Sequence, residues 1–233
     1  MNMKKFATIL LLGAVLLQSC GLSNLGKGSL IGSGAGAAIG AGVGYLISKD
    51  GKGAAIGAAI GTAVGGGTGA IIGNQMDKKA KELAALENAQ VETITDVNGL
   101  TAIKVTFPSG ILFDFNKTAL SKEAKEELGQ FATGLADLPE TDLTIIGHTD
   151  NVGTAEANQS VSDKRAAAVA KFFQSKGIAA ERLHAEGHSF NEPVASNDTA
   201  EGQAKNRRVE VYVTANEAMI EAAKAEAAKQ GKE

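Results

Sequence analysis

Glycine recurs at every fourth position through residues 28–73: at 28, 32, 36, 40 and 44, then at 53, 57, 61, 65, 69 and 73. Each glycine inside an isolated helix costs about 1 kcal/mol relative to alanine, so the whole ladder costs on the order of 11 kcal/mol. Close packing is what recovers it. A period of four in a helix of 3.6 residues per turn draws a slowly drifting ridge without side chains, and two backbones approach closely along such a ridge. Charge enters only at Lys49, Asp50 and Lys52, which leaves two uncharged segments, 28–48 and 53–73, of 21 residues each. As helices these are about 31 Å long, the thickness of a bilayer core. The tip KDGK between them makes the pair an antiparallel helical hairpin. Three readings stay open: a hairpin in or on a membrane, a hairpin that self-associates outside the lipid, and a glycine-rich spacer, against which the strict register speaks.

The chain has 233 residues, and 17 of its 29 glycines lie between Gly26 and Gly73, so it divides into unlike parts. A net charge of −3 with no basic run leaves no electrostatic footprint for nucleic acid. Lys4 and Lys5 precede an uncharged run, 6–17, in the layout of a cleaved secretory signal. Leu17-Gln18-Ser19-Cys20 then resembles the lipobox of bacterial lipoproteins, which implies cleavage after Ser19 and lipidation of Cys20, the single cysteine. Acyl chains there would hold the protein on a membrane without a spanning helix. Gly21 is not the aspartate that retains some lipoproteins at the inner membrane, so the resemblance implies the outer membrane. The ladder itself resembles the glycine-zipper domains near the N-terminus of some envelope lipoproteins.

Beyond Gly73, residues 74–90 are rich in strong helix formers, with Met76, Ala80, Leu83 and Leu86 at helical spacing. They read as a helical connector with a solvated charged face. From Val91 the texture changes. Asn98-Gly99 between two alternating runs signals a hairpin. ILFDFN reads as a strand, the segment after Ser121 as a capped helix, LTIIG as a buried strand, residues 158–177 as a helix ending at Gly177, LHAEGH as a short strand and RRVEVYV as the last strand. The order β-α-β-α-β-β, preceded by the hairpin, suits an α+β sandwich with helices on one face of a mixed sheet.

Four motifs in order, LFDFNKTAL, GHTDNVG, NQSVSDKRAAAV and ASNDTAEGQAKNRRVEVYV, closely resemble the peptidoglycan-binding OmpA-like domain over residues 105–214, with Val161 where the family usually has leucine. Asp150 falls in a turn after a strand, and Arg165 lies on the following helix on a face shared with Asn158 and Ser162. A carboxylate and a guanidinium so placed suit a zwitterionic amino-acid end, with the ammonium on Asp150 and the carboxylate on Arg165; an internal ion pair is the plainer alternative. The resemblance implies that the ligand is the diaminopimelate of the peptidoglycan stem peptide, with Asn116, Thr149 and Asn158 as supporting contacts and Arg207 and Arg208 at the rim.

His148, His184 and His188 lack metal-ligand spacing, and no catalytic constellation or cofactor motif is present, so the sequence points to a binder rather than an enzyme. The expected organisation is a signal (1–19), a lipidated linker (20–27), the hairpin (28–73), the connector (74–90), the OmpA-like domain (91–215) and a solvated, fraying helical tail (216–233). The function implied is an outer-membrane lipoprotein, its C-terminal domain in the periplasm, tethering the membrane to peptidoglycan. Its partners are peptidoglycan and the membrane, the latter through the lipid and on one reading the hairpin, and the ladder also allows a homo-oligomer. The alternatives are a peptidoglycan hydrolase and an oligomeric membrane-active scaffold built on the zipper.

Overall fold

The computed structural model describes residues 66–114 and 117–231. The expectations for residues 1–27, including Cys20, for the ladder as far as residue 65, and for Asn116 lie outside the described residues. Among the described residues no helix is long and apolar enough to cross a membrane.

Five strands make one sheet, β1 (Gln90–Thr95), β2 (Thr101–Pro108), β3 (Thr141–Gly147), β4 (Leu183–Gly187) and β5 (Arg208–Ala215), in the spatial order β1-β2-β5-β3-β4. The helices are α1 (Gly66–Leu83), the single turn α2 (Ser109–Leu112), α3 (Lys122–Gly134), α4 (Ala155–Ser175), α5 (Ala200–Asn206) and α6 (Glu217–Gln230). All strand pairs are antiparallel except β3 with β4, whose parallel pairing requires a crossover, which α4 supplies.

The pleat sorts the side chains. Val105 lies opposite Val211, which lies opposite Ile145, and these join the buried stripes of α1, α3, α4 and α6 in one core, where Phe131 meets Phe107 edge-on at 5.9 Å. The architecture is thus the expected α+β layer pair. The hairpin at Asn98-Gly99 forms as read: Gly99 takes φ 75°, and the Asp96 carboxylate accepts from the backbone N–H of Asn98 and Leu100 at 2.8 and 2.9 Å.

Three local readings differ. The described part of ILFDFN, residues 111–114, is not a strand: Ile111 and Leu112 close α2, and Phe113 makes only an isolated bridge to Leu120. Both edges of β2 are already taken, by β1 and β5, so the hairpin's second arm serves as the first strand of the β-α-β-α-β-β order.

Residues 74–83 belong to α1, which ends at Leu83, short of the expected helical connector over 74–90. Met76, Ala80 and Leu83 of α1 and Leu86 just beyond it are buried as their spacing implies, but the charged side is not all solvated. Lys79 is buried and reaches Glu82 at 2.5 Å and Asp137 at 2.6 Å, because α1 is flanked by α3 and α6 as well as by β1 and β2.

The tail is also packed rather than fraying. Asn216 caps α6 by accepting from the Met219 N–H at 3.2 Å, and Met219, Ile220 and Ala223 are buried. A Cβ on Gly67 would stand 3.2 Å from that of Ala227, so α1 and α6 pack closely at a glycine between the ladder positions 65 and 69.

Candidate functional site

The chain leaves β3 through His148, Thr149 and Asp150, all buried, and the turn that follows is built by side chains. The Asp150 carboxylate accepts from the Val152 N–H at 3.1 Å, Gly153 takes φ 103°, and the Asn158 amide donates to the Val152 carbonyl at 3.0 Å. Thr154 then caps α4 by accepting from the Ala157 N–H at 3.2 Å. Asn158 therefore acts on the loop that presents Asp150. The Thr149 N–H donates to the Ser189 carbonyl at 2.9 Å, while its buried hydroxyl has no hydrogen-bond partner among the described residues.

Arg165 is held from two sides. Its Nε and Nη2 donate to the Lys117 carbonyl at 3.3 and 3.2 Å, and its guanidinium lies 5.0 Å from the centre of the Phe113 ring. Burial, and next the Arg207 cation, push the Arg165 guanidinium below its ordinary pKa, while Asp150 pushes it up. Three charges thus share one field: Asp150, Arg165 and Arg207.

The direct ion pair, however, joins Asp150 to Arg207, whose Nη1 stands 2.5 Å from Oδ2 of the carboxylate. Of the two arginines read as rim residues, only Arg207 is brought to Asp150. Arg208 is 4 % exposed, and its Nε donates to Glu210 at 2.8 Å. Glu210 also receives Lys104 at 3.0 Å and the Tyr212 hydroxyl at 2.5 Å, beside His148 at 3.6 Å. Burial works against this carboxylate, yet His148, Arg208 and Tyr212 hold it well below the usual range. Burial lowers the pKa of His148, and its ring meets that of His188 edge-on at 5.7 Å. The cluster behind the site is therefore structural. Period-two reading of RRVEVYV carries the signal for it, since 208, 210 and 212 share the face opposite the valines.

The support of Arg165 by Phe113 and by the Lys117 carbonyl escapes sequence reasoning, because a backbone acceptor leaves no residue-type signature. Among the described residues no group of three or more His, Cys, Asp or Glu side chains could hold a metal ion. What the arrangement offers chemically is one partly covered carboxylate, one buried guanidinium and one part-exposed guanidinium.

Comparison with known proteins follows this geometry. Residues 112–207 match the OmpA family model, and residues 1–77 match the YMGG-like Gly-zipper. Outer membrane protein A of Bordetella avium is 40 % identical over 112 residues, 48 % of this chain and 58 % of that protein. The "Probable lipoprotein YiaD" of Escherichia coli is 36 % identical over 48 % of this chain and 51 % of its own. Outer membrane porin F of Pseudomonas aeruginosa is 38 % identical over 52 % and 35 % respectively, so the chain spans roughly half or less of these relatives. Among solved structures, a MotB like protein from Desulfovibrio vulgaris aligns with TM-score 0.53 at 25 % identity, over 69 % of this chain and 96 % of that one. The cell wall anchor of the T6SS from Pseudomonas aeruginosa aligns with TM-score 0.51 at 30 % identity, over 60 % and 97 %. The chain therefore carries an OmpA family domain over residues 112–207, and its first 77 residues match a YMGG-like Gly-zipper.

Proposed function

We propose that this chain is a cell-envelope lipoprotein that ties the outer membrane to peptidoglycan without a covalent bond to the wall. The match of residues 112–207 to the OmpA family model, and similarity to outer-membrane proteins, to a lipoprotein and to a cell wall anchor, support peptidoglycan binding in the envelope. The observation that carries the finer reading is the shared field of Asp150, Arg165 and Arg207 at the end of β3. Asp150 takes the ammonium and Arg165 the carboxylate of the zwitterionic end of diaminopimelate in the stem peptide, with Thr149 and Asn116 as polar support and Asn158 fixing the loop. In the N-terminal segment of the sequence, Cys20 carries the lipid.

Truncating one partner of a desolvated charge pair costs about 2 to 5 kcal/mol, so Asp150→Ala or Arg165→Ala is expected to weaken binding to purified sacculi at least about tenfold. Circular dichroism checks that the fold is kept. A folded Arg165→Ala chain that sediments with sacculi like wild type overturns the site. Walls whose stem peptide carries lysine lack the second carboxylate, so wild-type binding falls there and Arg165→Ala adds little further loss. Turbidity of the same sacculi separates the binder from a hydrolase, which would clear the suspension.

A further inference from the structure

Resting on the zwitterion reading of this site, we propose that Arg207 is a built-in competitor for the ligand's ammonium: in the free domain its guanidinium occupies Asp150, and ligand binding displaces it. The two arginines of the site are held very differently. Arg165 is 7 % exposed, anchored through two nitrogens on the Lys117 carbonyl and stacked on Phe113. The Arg207 side chain is 41 % exposed, and its one side-chain hydrogen bond among the described residues runs from Nη1 to Asp150. Its backbone, by contrast, is fixed: its N–H donates to the Gln203 carbonyl at 3.0 Å and its carbonyl accepts from the Ser109 N–H at 2.9 Å. Only the arm can move.

Asp150 is arranged for an exchange of cations. Oδ1 is committed to the loop through the Val152 N–H, while Oδ2 faces Arg207 alone among the hydrogen bonds described. An ammonium entering the site must meet Oδ2, and it can do so only as Arg207 leaves. The consequence is selectivity: a ligand that brings carboxylates but no cation cannot free Asp150, whereas a zwitterion supplies the replacement charge itself. The affinity of such a site is reduced by the fraction of molecules in which the pair is closed. Part-exposed ion pairs of this kind hold their partners by a factor of about two to five.

The test uses the full chain and calorimetric titration with meso-diaminopimelate, and with pimelate, which keeps both carboxylates and lacks both amines. Arg207→Ala is expected to bind diaminopimelate about two- to fivefold more tightly than wild type, and pimelate no more tightly. Arg207→Gln, which keeps the length of the arm without its charge, is expected to do the same and guards against a packing defect in the alanine variant. Arg207→Ala and Arg207→Gln both binding diaminopimelate equally to wild type, or more weakly, overturns the competitor role while leaving the site intact, provided Asp150→Ala abolishes wild-type binding. Wild type failing to bind diaminopimelate at all overturns the site reading and the competitor with it.

Discussion

Two glycines set how closely α4 lies on the sheet. A Cβ on Gly147, the last residue of β3, would stand 2.3 Å from the Ser162 carbonyl oxygen, and one on Gly187 would stand 2.3 Å from the Asp163 nitrogen. The Gly187 N–H also donates to the Asp163 carboxylate at 2.9 Å, so at this point helix and strand touch through backbone. Since Ser162 lies between Asn158 and Arg165 on the same face, lifting α4 moves both away from Asp150. Gly147→Ala is expected to cost about 1 to 3 kcal/mol in urea unfolding and to weaken sacculus binding although no ligand contact is removed. Unchanged stability with unchanged binding would show that α4 has room to shift. The residue scale is also where legibility divides. Asp150, Asn158 and Arg165 were readable because each falls within one continuous motif. The choice between Arg207 and Arg208 was not, because it depends on where β5 begins: Arg207 precedes the strand and reaches Asp150, whereas Arg208 is its first pleated residue and turns to Glu210.

Elements outside the matched family segment complete the core. α1, β1 and α6 all lie beyond residues 112–207, yet Ile72 and Met76 of α1 and Ile220 of α6 sit in the same apolar cluster as Phe131 and Val211. The spacing of Met76, Ala80, Leu83 and Leu86 foretold an apolar stripe. It did not foretell its partner, because a stripe of that width serves equally against a sheet, another helix or a second chain. Helical propensity in the tail was legible in the same way, while the burial of Met219 and Ile220 depends on α1 lying alongside. Met76 is fully buried, so Met76→Ala is expected to lower unfolding stability by about 2 to 5 kcal/mol. A loss of less than about 1 kcal/mol in chemical denaturation would mean that α1 contributes little to the domain.

At the scale of the whole molecule, the passage from the ladder into the domain has no hinge in the described part: Gly66, Gly67, Gly69 and Gly73 form the first turns of α1, whose later turns are core. On the proposed reading, with a lipid at Cys20 and a wall site at Asp150 and Arg165, the chain would have two attachments whose contributions multiply, since holding one end raises the effective concentration of the other. Each attachment should then be separable. Cys20→Ser is expected to release the protein from the membrane pellet once the wall has been digested, while leaving its binding to isolated sacculi unchanged. Arg165→Ala is expected to do the reverse, staying with the membrane and losing the sacculi, and the double variant to be lost from both. Fractionation before and after wall digestion reads all four combinations. If Cys20→Ser still pellets with membranes after digestion, the lipid is not the anchor, and the ladder holds the bilayer directly. In that event Gly40→Leu and Gly61→Leu, which force close-packed helices apart, should release the protein where the corresponding alanine variants do not.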